Sequence, residues 1–296
     1  MSDGTVAWRE LWNDTTTVVG RQQARWLCEV ASGHYDDEFL TILDRPASER
    51  GVAHLDTMLA RSAAGEPLQY VLGRWGFRHL DLMVDRRVLI PRPETELLVD
   101  VALRLARSQT APLVCVDLGT GSGAIGLSLA AELSIDGVTV WLADCSSDAL
   151  DVARANAAGI GRAAANVRIV QGDWFDALPS GLEGTLAVIV SNPPYVSDAD
   201  PDLELIVREW EPADALFAGA DGLDAIRHLV VQAPRWLRPG GWLALEIGST
   251  HGSRVKELLR AAGFADVEVA VDLAGHDRVA SGRFGSSVEA RRDLSE

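Results

Sequence analysis

The stretch Thr185-Leu-Ala-Val-Ile-Val-Ser191, followed at once by Asn192-Pro193-Pro194-Tyr195, decides the fold. Its first seven residues form an apolar, β-branched run of the kind that fills a parallel strand covered on both faces. Two consecutive prolines neither continue a central strand nor donate to its ladder, so the chain must leave the sheet there. Asn192 to Tyr195 therefore sit at the carboxyl end of a strand, the edge at which open α/β sheets bind ligands. The Asn192 side-chain carbonyl and the Pro193 backbone carbonyl are two acceptors, and a planar NH₂ group offers two donors. A nitrogen held between them turns its lone pair out of plane, toward an electrophile above, and Tyr195 can stack on the planar group that carries it. On these four residues alone, a turn that merely closes a strand is an equal reading.

Working outward, the pattern from Leu113 alternates strand and helix, which implies right-handed βαβ units in a parallel sheet covered on both faces. Strands are expected at 113–117, 138–143, 167–170, 185–191, 242–247, 267–271 and 278–282, and helices at 124–133, 147–157, 223–236 and 253–262. Upstream, Arg92-Pro93-Glu94-Thr95-Glu96 opens a helix running to about Arg107, with proline and two glutamates suited to its first turn. Residues 1–72 carry apolar positions at helical spacing, interrupted by Gly33, Pro46 and Pro67, and read as a small helical domain. Between them, 73–91 change to a period of two and read as a β-hairpin connection turning near Asp85-Arg86. The expected organisation is a helical domain (1–72), the hairpin (73–91), an α/β domain (92–284) and a flexible polar tail (285–296).

Composition narrows the function. With 27 basic against 43 acidic residues the chain carries a net charge of −16, and only one of its basic residues, Lys256, is a lysine. That balance opposes extended nucleic-acid binding, which requires neutralising many phosphates. No apolar run approaches a membrane span and the amino terminus lacks a leader pattern, so a cytoplasmic protein, off the membrane and monomeric, is expected. Cys28, Cys115 and Cys145 form no CxxC pair and read as buried thiols, and the six histidines show no metal-ligand spacing, so no metal is expected.

Asp117-Leu-Gly119-Thr120-Gly121-Ser122-Gly123 joins the first sheet strand to the next helix. Glycines let this backbone turn tightly toward a ligand, and the helix amino terminus beyond presents unpaired N–H groups. Gly121-x-Gly123-x-x-Gly126 also fits the dinucleotide fingerprint. Asp144, 21 residues beyond Gly123, ends the second strand, where a carboxylate can accept from both ribose hydroxyls or can simply cap a helix. Either NAD or S-adenosylmethionine would be served. Gly172-Asp173-Trp174, which could edge and stack an adenine, and the later Asn-Pro-Pro-Tyr motif favour methyl transfer to an amino nitrogen, for which a hydride-transfer enzyme has no evident use.

With these motifs in order, the chain resembles the release-factor glutamine methyltransferases, often called PrmC or HemK. The resemblance rests on EPLQYVLG (66–73), VLIPRPETELLV (88–99), DLGTGSGAIGLSLA (117–130), GDWF (172–175), IVSNPPYV (189–196), EPADAL (211–216), PGGWLALEIG (239–248) and DLAGHDRV (272–279). It implies a Rossmann-like class I methyltransferase domain, a seven-stranded sheet whose last strand is antiparallel, behind a helical domain that helps hold the substrate. It further implies S-adenosylmethionine as cofactor and a class 1 peptide chain release factor as partner, methylated on the glutamine amide of its Gly-Gly-Gln motif. By this resemblance Gly119, Thr120, Gly121, Ser122, Gly123, Asp144, Asp173, Trp174 and Asn192 bind the cofactor. Asn192, Pro193, Pro194 and Tyr195 hold the glutamine amide, with Asn192, Pro193 and Tyr195 as the catalytic set. His251 replaces the Gln of many relatives and reads as peripheral. The alternatives are an adenine-N6 methyltransferase of DNA or RNA, a methyltransferase of another protein glutamine, and a cofactor-binding assembly protein without activity.

Overall fold

A computed structural model describes residues 6–134, 136–201 and 203–285, and the chain divides into two units, Met1–Arg74 and Trp75–Glu296. The expected tail beyond residue 285 lies outside the described residues. The first unit comprises α1 (Trp8–Val19), α2 (Arg21–Ser32), α3 (Asp36–Thr41), α4 (Glu49–Ala63) and α5 (Leu68–Leu72). Its breaks fall where the sequence lacks helix-compatible residues: Gly33 ends α2 in the left-handed region at φ 71°, and Pro67 caps α5. Ser48 starts α4 by accepting from Gly51 N at 3.1 Å. The periodic apolar positions meet in a core of Trp8, Leu27, Phe39, Leu55 and Met58, where the rings of Trp8 and Phe39 pack edge to face at 6.4 Å.

The second unit begins with a hairpin, β1 (Arg74–Phe77) and β2 (Leu80–Met83), β1 starting at the boundary residue. There follow α6 (Thr95–Arg107), β3 (Leu113–Leu118), α7 (Ala124–Glu132), β4 (Val138–Asp144), α8 (Ser147–Gly159) and β5 (Val167–Gln171). The rest is β6 (Leu186–Ser191), α9 (Leu205–Trp210), α10 (Asp224–Trp236), β7 (Leu237–Glu246), α11 (Gly252–Ala261), β8 (Phe264–Val271) and β9 (Asp277–Phe284). The strands of the sheet run in the order β5-β4-β3-β6-β7-β9-β8, with β9 antiparallel to both neighbours. All six residues of β6 are buried, as expected of a central strand clothed on both faces. The chain builds outward from β3 to β4 and β5, then returns to lay β6 on the other side of β3. That reversal creates a crevice at the carboxyl ends of β3 and β6, where α/β sheets bind ligands.

One expectation fails. The hairpin turns at Arg78-His79, between β1 and β2, and not near Asp85-Arg86. Arg78, at φ 52°, is fixed there because its guanidinium meets Glu132 (2.6 and 2.9 Å) and Asp100 (2.8 Å) while its N–H donates to Glu96 Oε1 (2.9 Å). Val84, Val88 and Ile90 are buried, so they alternate as a strand would, yet they lie in irregular chain. No ladder serves this stretch: Val88 N closes a turn onto the Asp85 carbonyl at 3.1 Å, and Ile90 N donates to Glu211 Oε2 at 3.1 Å.

Candidate active site

Asp117, the penultimate residue of β3, is fully buried and anchors the glycine loop. Its Oδ2 accepts from Thr120 Oγ1 at 2.6 Å and from Gly126 N at 2.9 Å. Burial pushes this carboxyl up to about 6, a rise held back by those two donors. From the neighbouring strand, the Ala143 carbonyl accepts from both Gly119 N (2.9 Å) and Thr120 N (3.0 Å). The loop is thus set before any ligand arrives. Gly126 lets α7 approach β4, since a Cβ there would stand 2.7 Å from Leu142 Cδ1. Gly121, at φ 55°, has nothing within 4 Å of where a Cβ would be, because it faces open space.

Asp144 ends β4 opposite this loop. Its Oδ2 accepts from Gly121 N at 2.9 Å and its Oδ1 from Ser146 N at 3.0 Å, and each oxygen keeps a lone pair. Trp174, in the left-handed region at φ 45°, lays its ring 3.4 Å from where a Cβ on Gly119 would be. A non-glycine residue held there is strained, a feature that gathers at functional sites. One cleft is lined by Gly119, Thr120, Gly121, Ser122, Asp144, Asp173, Trp174, Asn192 and Pro194. Nearly every residue singled out in the sequence is therefore brought together. Gly123, Pro193 and Tyr195 are not among the lining residues.

The remaining wall was less legible. It is built by Val88, Leu89, Pro91 and Thr95 on one side and by Pro212, Asp214 and Ala215 on the other. Glu211 joins the two, because its buried carboxylate takes both the Ile90 N–H and the Arg92 guanidinium. The family resemblance marked both segments, and the first was also marked by leading directly toward a ligand-binding strand. Cys145 also lines the cleft and is exposed, unlike Cys28 and Cys115, so reading it as a buried thiol is corrected: it follows Asp144 out of the sheet.

At the end of β6, Asn192 Nδ2 stands 3.5 Å from Thr95 Oγ1. The Tyr195 hydroxyl donates to Glu246 Oε1 at 3.1 Å, and its ring packs against the apolar core of the sheet. Burial raises the Glu246 carboxyl above the ordinary glutamate range, the Tyr195 hydrogen bond to Oε1 holds part of the rise back, and Oε2 is buried without a hydrogen-bond partner. The backbone beyond is pinned by Val196 N to Leu216 O (2.9 Å) and Ala218 N to Val196 O (2.9 Å). Gly222 packs so close that a Cβ would lie 2.3 Å from the Tyr195 carbonyl oxygen. The sequence reading overlooked Glu246 and Gly222. The signal for Glu246 was an acid closing an apolar strand (WLALE), as Asp144 closes VWLAD.

A protein-family model described as Methyltransferase small domain matches residues 95–217, and a second, PrmC N-terminal domain, matches residues 20–73. A release factor glutamine methyltransferase of Vibrio cholerae is 43% identical over 249 residues, 84% of this chain and 83% of that protein. The chain belongs to the release factor glutamine methyltransferase family. The family's protein in Burkholderia pseudomallei is 43% identical over 263 residues, covering 88% of this chain and 90% of its own. A crystal structure of a methyltransferase from Pyrococcus furiosus shares the fold, with a TM-score of 0.51, 19% identity, and coverage of 78% of this chain and 100% of that one.

S-adenosylmethionine is the methyl donor of such methyltransferases, and the cleft fits it. Gly121 leaves a cradle that any side chain would fill, Asp144 keeps acceptor capacity for ribose hydroxyls, and Trp174 offers an aromatic face. Asp144→Ala is expected to weaken cofactor binding at least about tenfold, since it deletes a charged acceptor and releases Gly121 N. Isothermal calorimetry checks this, and unchanged affinity would reduce Asp144 to a cap.

Proposed function

We propose that this protein transfers the methyl group of S-adenosylmethionine to the side-chain amide nitrogen of the glutamine in the Gly-Gly-Gln motif of class 1 peptide chain release factors. The observation that carries the reading is the meeting of Asn192 and Pro194 with the glycine loop, Asp144 and Trp174 in one cleft. The named relatives in Vibrio cholerae and Burkholderia pseudomallei supply the substrate class. The cofactor supplies a sulfonium methyl as electrophile. An amide nitrogen is a poor nucleophile because its lone pair is delocalised into the carbonyl. Asn192 Oδ1 and the Pro193 carbonyl accept from its two protons and turn the lone pair toward the methyl. Both acceptors strengthen as positive charge develops on nitrogen, so they favour the transition state over the ground state. Tyr195, tied to Glu246, braces the motif from beneath.

Among the described residues, no helix is long and apolar enough to cross a membrane. We infer a monomer that meets its substrate in the cytoplasm. Methyl incorporation from labelled cofactor into purified release factor, against nucleic acid as control, tests the reading. Label in nucleic acid alone would overturn it.

We further infer that the helical unit, ending at Arg74, contributes to recognition of the protein substrate. Its match to the PrmC N-terminal domain supports this. A chain beginning near Gly73 is expected to keep cofactor affinity within about threefold and to lose most activity on intact release factor. Full activity of that shortened chain in a steady-state assay would refute the role.

A further inference from the structure

A glutamine side chain reaches Asn192 only if the polypeptide that bears it crosses the mouth of the cleft. Between Tyr195 and Phe217 the chain makes an excursion that leaves the Asn-Pro-Pro-Tyr motif and returns beside it: Val196 N donates to Leu216 O at 2.9 Å, and Val196 pairs with Phe217. Both ends of the excursion belong to the site, since Pro194 lines the cleft at its start and Pro212, Asp214 and Ala215 line it at its end. Within it lies α9, Leu-Ile-Val-Arg-Glu-Trp. A helix packed on a core buries an apolar stripe, but no residue of α9 is buried. Leu205 is 81% exposed and Ile206 41%. A helix of six residues does not persist unaided, so α9 depends on ties at its end. Its last residue, Trp210, lies under the Arg86 guanidinium, 4.8 Å from the ring centroid. Glu211, the next residue, is buried and takes the Ile90 N–H at 3.1 Å and the Arg92 guanidinium, both from the opposite wall of the cleft. At about 1.5 Å of rise per residue, Leu205 and Ile206 stand roughly 9 Å along the helix from that tie.

We propose that Leu205 and Ile206 form a docking surface for the methyl-accepting protein, receiving an apolar side chain of the release factor beside its glutamine, while Trp210 and Glu211 hold α9 at the cleft. Docking here presupposes a release factor as methyl acceptor. Exposed aliphatic residues scattered singly are ordinary, whereas this pair is adjacent, sits on a helix that buries nothing, and is tied to the wall of the site. Arg208 and Glu209 beside the pair are opposite in sign, so the face offers a phosphate backbone no net charge and suits an apolar side chain of a protein. A second copy of this chain fits less well, because two side chains supply far less than the roughly 1,000 Å² that a stable interface buries. Neither Leu205 nor Ile206 lines the cleft, so neither touches the reacting atoms. What they contribute is binding held equally in the ground and transition states, which sets KM and leaves kcat alone.

The test uses the full chain and steady-state methylation of purified release factor. The double variant Leu205→Gln, Ile206→Gln makes the face polar without lowering helix propensity. Its release-factor KM is expected to rise about 10-fold, with kcat and cofactor Kd within about twofold. Because both side chains are exposed, its melting temperature should stay within about 2 °C of wild type. The double variant Leu205→Met, Ile206→Leu stays apolar and is expected to keep KM within about twofold. Val231→Gln serves as control: Val231 is 74% exposed on α10, a helix that supplies no residue to the cleft, and its KM should match wild type. A KM within twofold of wild type in the glutamine double variant, a loss that falls on kcat alone, or an equal rise in the apolar variant or in Val231→Gln would each overturn the docking role. So would a wild-type dimer, seen by sedimentation, that the glutamine double variant dissolves, since the face would then serve self-association. If the wild-type protein left release factor unmethylated, the functional reading would fall and this docking with it. Wild-type methylation with an unchanged KM in the variant would sink the docking alone.

Discussion

Asn192→Ala is expected to lower kcat on release factor by at least about 10²-fold, the scale on which deleting one preorganised polar partner from an active site acts. The substitution removes one of the two acceptors that hold the glutamine amide and leaves the Pro193 carbonyl in place. Because the acceptor gains strength as charge develops on nitrogen, the loss should fall on kcat and much less on release-factor KM. Cofactor Kd should rise only modestly, although Asn192 does line the cleft. Asn192→Asp sharpens the test. It keeps an oxygen near the same place but adds a negative charge beside Thr95 that repositions neighbouring groups. An acceptor is retained while the added charge disturbs its surroundings, so activity should lie between the alanine variant and wild type. Steady-state kinetics at saturating cofactor separate the three proteins. Equal rates for Asn192→Ala and wild type, with both folded and cofactor-bound, would make Asn-Pro-Pro-Tyr a turn and nothing more.

How much of this site could be read in advance depends on where its physics is written. The position of Asn192 was legible because two constraints meet there: a fully buried β-branched run must be a central strand, and two prolines must end it. The glycine loop was legible for a similar reason, since a tight turn and a close helix–strand approach both demand glycine, as the crowding at Gly126 bears out. The hairpin was misread because alternation reports burial and carries no information about hydrogen bonding. Val84, Val88 and Ile90 are buried in turn, but Glu211, 121 positions after Ile90, takes the N–H that a partner strand would have taken. Thr95, Glu211 and Glu246 share that difficulty. Each is polar and buried by a partner far along the chain, so nothing local distinguishes them from a helix cap, a loop acid or a strand-end acid. Tyr195 shows a subtler limit. Its place beside the site was foreseeable, but the direction of its hydroxyl was fixed by an acid on another strand.

The largest effect expected from a residue that makes no polar contact with either substrate is Gly222→Ala. Gly222 is buried in the segment between Phe217 and α10, and its φ of 69° lies in the left-handed region. A side chain there costs roughly 1–2 kcal/mol in backbone conformation alone. The second cost is steric and falls directly on the motif. A Cβ would lie 2.3 Å from the Tyr195 carbonyl oxygen and 3.0 Å from its carbon, against the roughly 3.5 Å at which non-bonded atoms rest. The two nearest atoms are Tyr195 backbone, with no flexible side-chain end to swing away, and the His251 ring stands 3.2 Å off as well. The pairing of Val196 with Phe217 ties the two segments together, so they cannot simply separate. The motif must therefore shift, and a displacement of about 1 Å in a positioning group can cost on the order of 10²-fold in rate. We expect kcat to fall by that factor or more, with cofactor Kd little changed because the glycine loop, Asp144 and Trp174 belong to other strand ends. The melting temperature should drop by a few degrees, about 2–4 °C per kcal/mol for a domain of this size. Kinetics, calorimetry and a thermal melt on the same preparation decide the matter. A variant with wild-type kcat would mean that the segment carrying Gly222 moves freely, and that the close packing behind Tyr195 does not hold the motif in place.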